Sequence, residues 1–192
     1  MLPRSGVAAW GLLGVVSCLA SGMLAAAQGA TTTTVVVERI GEVFEIEAAS
    51  RVYADRDTAW AVLTDYEGYI YFVPGMTQSR RLGGQPLRID QRGEFGVLFF
   101  RKQVYSTLEV EENAPTEIRF HALAGNLRKL DTHVRLRVEG DHVVVVYQSV
   151  IEPDFWVPPL IGTPIVRAAV HRKLDAVANE IERRERDMNA GQ

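Results

Sequence analysis

Residues 54–76 read ADRDTAWAVLTDYEGYIYFVPGM, and within them Tyr66, Tyr69, Tyr71 and Phe72 fall inside seven positions. Asp55 stands where a side-chain oxygen takes up the free N–H groups of a helix start. RDTAWAVLTD follows as that helix, with Ala59, Trp60 and Leu63 at inward spacing. Asp65 offers a second cap, for a short helix on which Tyr66, Tyr69 and Phe72 or Val73 recur every three to four residues and share a face. Pro74 ends it and Gly75 permits the turn. So much aromatic surface on so short a piece of chain is either packed core or the wall of a cavity for an apolar ligand.

Upstream, FEIEAASRVYA alternates. Phe44, Ile46, Ala48, Ser50 and Val52 share one face and Glu45, Glu47 and Arg51 the other, which reads as a half-buried strand. Downstream, to about residue 150, the pattern is strands and short turns: MTQSRRL, LRIDQRGEF, VLFFRKQVYSTLEVEEN, APTEIRFHAL, NLRKLDTHVRLRVEG and VVVVYQSVIE. Consecutive strands on short turns pair antiparallel. PDFWVPPLIG is a proline-rich connector. Thr163 and Pro164 suit the start of a long last helix, along which Val166, Val170, Leu174, Val177 and Ile181 form one stripe. The order is strand, two short helices, about six strands and one long helix, an α+β class with an antiparallel sheet of about seven strands.

The ends carry a different signal. Arg4 is the only charge before Glu38, and an apolar run leads to small residues at AAAQ. That is the pattern of an export signal over residues 1–27 cut after Ala27, giving a periplasmic or secreted protein. A retained anchor is the rival, since Val7–Ala27 approaches the roughly 20 residues a span needs; VVSC at Cys18 also loosely resembles a lipid-attachment site. Residues 28–42, with TTTTVVV, read as an extended tail or linker or a frayed first strand, 43–187 as the domain, and 188–192 as a frayed C-terminus. Cys18 is the only cysteine, so the processed chain has no disulfide, thiolate nucleophile or cysteine metal ligand. About 160 remaining residues suffice for one domain with a sizeable core. Its charges are 20 basic against 24 acidic once Arg4 is removed, a net of −4 that does not advertise nucleic-acid binding.

The order of elements and the 54–76 stretch resemble the START-like superfamily, within it the polyketide cyclase/dehydrase and lipid-transport group, which includes coenzyme Q-binding proteins. The early signature, A-D-x-x-x-x-W then L-x-D-Y-x-x-Y-x-x-F-V-P, is met by Ala54, Asp55, Trp60, Leu63, Asp65, Tyr66, Tyr69, Phe72, Val73 and Pro74. The late one, a tryptophan-proline connector before a long helix, is met by Trp156, Pro158 and the helix after Pro164. The resemblance spans about residues 43–185. It implies a helix-grip fold, in which a curved antiparallel sheet wraps the C-terminal helix around a cavity closed at one end by the short helices. It is specific for fold and weak for function, because that superfamily hosts carriers, cyclases, hydrolases and regulators.

On that fold, Tyr66, Tyr69, Phe72 and Met76 are both core and candidate cavity wall. Phe99, Tyr105, Phe120 and Tyr147 from the strands, and Trp156, Ile165, Val166 and Ala169 from the connector and helix, complete the candidate ligand-binding set; Phe95 and Phe155 belong to the same apolar material. No metal site is expected, since His121, His133, His142 and His171 lack spacings that aim two rings at one ion. No G-x-S-x-G elbow and no phosphate-binding loop occurs, so no catalytic residue and no cofactor are assigned. Acid–base candidates are Tyr105, Tyr147, Arg101, Asp131 and Glu152. Three readings stay open: an exported carrier of a hydrophobic small molecule or lipid, isoprenoid or quinone-like, with transient membrane contact; a cyclase or dehydratase using the same cavity; and a protein-interaction module. An ionisable group in an apolar lining favours the enzyme, and a lining of apolar groups and tyrosine hydroxyls favours the carrier.

Overall fold

A computed structural model describes residues 31–97 and 100–191. The expected leader, 1–27, and Phe99 lie outside the described residues. Eight strands and three helices follow in order: β1 (Thr32–Ile40), β2 (Val43–Val52), α1 (Arg56–Leu63), α2 (Tyr69–Phe72), β3 (Met76–Gly83), β4 (Leu87–Val97), β5 (Phe100–Asn113), β6 (Glu117–Gly125), β7 (Leu127–Glu139), β8 (His142–Pro153) and α3 (Pro159–Ala190). The strands form one sheet in the order β1-β2-β8-β7-β6-β5-β4-β3. Every neighbouring pair is antiparallel. Register shifts in the β3–β4, β5–β6 and β7–β8 pairs add local bend and twist. α3 packs against β1 and β2 near one edge and β4 near the other, with the sheet curved around it, and α1 lies against its C-terminal half.

Alternation in β2 holds to the residue: Phe44, Ile46, Ala48, Ser50 and Val52 are buried, and Glu45, Glu47 and Arg51 are exposed. The α3 stripe, Val166, Val170, Leu174, Val177 and Ile181, is buried along its whole length. These two apolar faces, opposed across the core, are what the sheet curls to cover.

The expected fold class holds, and four details of its layout differ. The 28–42 segment contains a full strand, since Thr32–Ile40 pairs with β2 from Thr32↔Arg51 to Ile40↔Val43 and buries Val37. The repeated threonines and valines are β-branched and fit a pleated edge. The sheet therefore has eight strands where about seven were expected. α3 begins at Pro159, with Pro164 inside it, not after Thr163. Pro164 lacks the N–H that would serve the Leu160 carbonyl, and it is tolerated in the first turns of α3, where Leu160 is strongly exposed. At the far end α3 reaches Ala190, so 188–190 are helical instead of frayed.

The caps differ in detail too. Asp55 occupies the N-cap of α1 without a side-chain cap bond. Glu185 of α3 acts there instead, accepting from the Asp55 N–H at 3.2 Å and the Thr58 hydroxyl at 2.6 Å. Asp65 does close a turn, its Oδ1 accepting from the Gly68 N–H at 3.1 Å.

Candidate ligand-binding cavity

Between α3 and the concave face of the sheet lies a cavity of about 230 Å³. Its apolar wall comes from β2 (Phe44), the end of the aromatic segment (Val73, Pro74, Met76), β4 and β5 (Phe95, Val104, Leu108), β7 and β8 (Leu127, Leu130, Tyr147, Ile151), the connector (Phe155, Val157) and α3 (Val166, Ala169, Val170). A second, smaller chamber of about 80 Å³ adjoins it, among Leu63, Tyr69, Phe120, Val134, Val145, Leu174 and Val177. Gln91, Leu108, Leu130, Tyr147 and Lys173 line both. Together the chambers reach the low end of the roughly 300–1,000 Å³ typical of small-molecule pockets.

One end of the larger chamber is closed by backbone touching backbone. Gly75 has φ +80°, and its carbonyl accepts from the Glu94 N–H at 2.8 Å. A Cβ on Gly75 would sit 2.6 Å from the Glu94 carbonyl oxygen, and one on Gly93 would sit 2.6 Å from the Gly75 carbonyl oxygen. Two glycines facing each other let the aromatic segment seal onto β4. At the other end Arg39 of β1 holds the connector, donating to the carbonyls of Val157 and Pro158 at 3.1 Å each while lying 5.0 Å from the Phe44 ring centroid.

Of the residues expected to line a cavity, Met76, Tyr147, Val166 and Ala169 line the larger chamber. Tyr69, Phe120 and Tyr147 line the smaller one. Others are elsewhere. Tyr66 is fully buried in core, its ring edge-on to Tyr69 and Phe120 and its hydroxyl donating to Glu112 at 2.7 Å. Ile165 is core on the flank of α3 that faces away from the chambers. Phe72 borders an outer groove with Arg183 and Arg184. Tyr105 is 49% exposed and Trp156 67% exposed, so neither forms wall. Of the acid–base candidates only Tyr147 reaches the cavity. Arg101 pairs loosely with Glu94, Asp131 with His121, and Glu152 with Arg128, all outside.

The aromatic segment is thus mainly a strut, with Val73, Pro74, Gly75 and Met76 in the wall of the larger chamber and Tyr69 in that of the smaller. Tyr69 donates to the Leu63 carbonyl at 2.6 Å, pinning α2 to α1. Burial pushes both the Tyr66 and Tyr69 hydroxyls well above the usual phenol range, with the Glu112 carboxylate adding to the effect at Tyr66. Both stay protonated and act as donors. The four histidines each meet a carboxylate: the exposed His121 and His171 meet Asp131 and Asp175, and the half-buried His133 and His142 meet Glu117 and Asp141. Among the described residues no cluster of three metal-ligating side chains occurs.

Sequence reasoning missed the polar part of the lining: Gln91, Arg92, Glu94, Ser106 and Lys173. Arg92 and Glu94 are exposed at the rim, near Asp90 at 3.8 Å and Gln103 at 2.8 Å respectively. Lys173 is half-buried on the inward row Ala169, Lys173, Val177 of α3. That row was readable as a helix face at steps of four.

An antiparallel sheet curved around a long C-terminal helix, with a mainly apolar cavity between them, defines a START-like helix-grip domain. The chain belongs to the polyketide cyclase/dehydrase and lipid transport family, whose model matches residues 52–178. Among solved structures it is similar to a STAR-related lipid transfer protein from Xanthomonas axonopodis, with 16% identity, TM-score 0.63 and coverage of 81% of this chain and 96% of that one. It is also similar to a START superfamily protein from Mycobacterium smegmatis, at 18% identity, TM-score 0.58 and coverage of 75% and 98%. A third, the Zhui aromatase/cyclase from Streptomyces sp. R1128, has 20% identity, TM-score 0.55 and coverage of 74% and 95%. At these identities the likeness concerns the fold alone. No curated protein matches the sequence.

Proposed function

We propose that this protein binds and carries a hydrophobic small molecule or lipid in the cavity between sheet and α3, and that it does so outside the cytoplasm. The observation that carries the reading is the cavity itself: about 230 Å³ in the larger chamber and about 80 Å³ in the smaller, with walls that are mostly apolar. Each methylene moved from water into such a lining contributes roughly 0.8 kcal/mol, so a modest apolar body gives useful affinity without any reacting group. Family membership and a lipid transfer protein of the same fold support the reading. The leader pattern over residues 1–27 supports export. An apolar cargo crossing an aqueous compartment needs a shield of this kind.

A cyclase or dehydratase is the second reading, favoured by one observation: Lys173 and Tyr147, both able to move a proton, line the cavity. It is the weaker of the two because the other acid–base candidates lie outside. Native mass spectrometry of the protein recovered from its own compartment separates them. One apolar compound bound per chain, released chemically unchanged, is expected. Ala169→Phe projects a ring into the larger chamber and should reduce loading at least about tenfold, the loss of roughly two methylenes of burial, while the variant still melts cooperatively. A chain that carries nothing, or an A169F variant loaded like wild type, would overturn the carrier reading. Release of a cyclised or dehydrated product would establish the enzyme.

A further inference from the structure

We infer that the cargo carries one acidic head, a carboxylate, seated on the Lys173 ammonium and the Tyr147 hydroxyl, with its apolar body in the larger chamber. This rests on the carrier reading above and narrows it to a class of ligand.

Lys173 lies where α3 faces inward, four residues from Ala169 and four from Val177, and it borders both chambers. It is half-buried. No described residue gives it an ion pair or a hydrogen bond. The neighbouring acids are engaged: Asp175 lies 2.7 Å from His171, and Glu94 accepts from Gln103 at 2.8 Å. Tyr147 comes from the facing strand, β8; it is buried, borders both chambers, and its hydroxyl has no partner among the described residues. Gln91, the third polar group shared by the chambers, commits one of its two amide N–H donors to the Ser79 hydroxyl at 3.2 Å and carries no charge.

An ammonium offers three donors and a phenol one, and a charge in an apolar wall is costly without a counter-ion. Two residues with unmatched donors, one from α3 and one from β8, that both border the two chambers therefore suit a shared acceptor, and the ammonium suits a negative one. Lys173 is the one cation that borders both chambers, Arg92 lying exposed at the rim 3.8 Å from Asp90, and one cation matches one negative charge. A phosphate monoester brings −1.5 to −2 and would be left undercompensated. A carboxylate brings one, and its two oxygens serve two donors. From that head the remainder of the molecule meets Met76, Phe95, Leu127, Ile151 and Phe155.

Displacement of Nile red, a neutral apolar dye, from the full chain at pH 7 reads the head directly when decanoate is compared with decanol. Decanoate should compete at a concentration about tenfold or more below decanol, the effect of one charge-assisted hydrogen bond. Lys173→Met should bring the acid-to-alcohol ratio close to one. Lys173→Arg should keep a preference for the acid, and Tyr147→Phe should reduce it by a few-fold. Equal competition by acid and alcohol in the wild type, or a preference that survives in both Lys173→Met and Lys173→Gln, overturns the inference and leaves the carrier reading standing. Failure of Nile red, decanoate and decanol alike to bind overturns both.

Discussion

Tyr66 and Tyr69 stand three residues apart in one aromatic cluster, yet their hydroxyls do different work. Tyr69 binds a backbone carbonyl within its own segment, and Tyr66 reaches across to Glu112 on β5. Because Glu112 is itself exposed, Tyr66→Phe lets that carboxylate return to water and leaves no orphan inside. The loss is then the net value of a charged hydrogen bond, about 1.5–3 kcal/mol, measurable by denaturant unfolding at unchanged slope. Tyr66 lines neither chamber, so ligand affinity should stay the same in that variant. A drop in affinity without a drop in stability would contradict the strut assignment. Composition alone could not have divided this cluster between core and wall: both demand aromatic surface, and the difference lies in what faces it across the sheet. Lys173 shows the converse. Its position on the inward row was readable, but a single lysine on a helix usually means solvent, and only the packed partner strand reveals that it borders a cavity.

At the scale of elements, α3 was legible where it is apolar and misread where it is charged. The stripe from Val166 to Ile181 meets the 3.6-residue period and is buried. NEIERRERDMNAGQ looks like a fraying tail because its charges have no evident task in one dimension. In the fold they clasp. Glu182 accepts from the Thr31 hydroxyl and from the Tyr53 N–H, Glu185 caps α1, and Arg184 bridges Glu180 at 2.7 Å and Asp65 at 2.6 Å. Glu180 gathers two guanidiniums. The Arg183 hydrogen bond, with Arg184 beside it, holds the Glu180 carboxyl down at about 2, against an ordinary 4.5. Since the folded value is the lower one, this contribution is fully present above about pH 4.5. It falls away as pH drops toward 2, where the unfolded chain takes up the proton first. Glu180→Gln should therefore lower stability at pH 7 and flatten the dependence of Tm on pH between 4.5 and 2. Equal acid sensitivity in wild type and variant would show that the Arg183–Glu180–Arg184 group does not set it.

The whole molecule depends on where the sheet stops. The order of elements along the chain, the antiparallel pairing of consecutive strands and the two short helices followed from alternation and turn spacing, because those signals are local, whereas the β2–β8 pairing is not. The eighth strand did not, because TTTTVVV carries no alternation and its partner is defined only once β2 is in place. β1 adds more than an edge. It covers β2, packs on α3, buries Val37, and through Arg39 holds the Val157–Pro158 carbonyls that border the cavity. A chain lacking residues 31–41 loses one buried valine, the half-buried Val35 and the connector latch together. At about 1.5–3 kcal/mol for a buried valine, with the lost strand pairing in addition, the cost should be about 3 kcal/mol or more, which lowers Tm by about 6–12 °C in a domain of this size. It also bares β2, whose free N–H and C=O groups then offer a pairing edge. Size-exclusion chromatography of the shortened chain should show dimers or larger species, and its ligand should dissociate faster as the connector loosens. A shortened chain that stays monomeric and melts within about 2 °C of the full one, less than 1 kcal/mol, would make β1 an ornament on a seven-stranded grip.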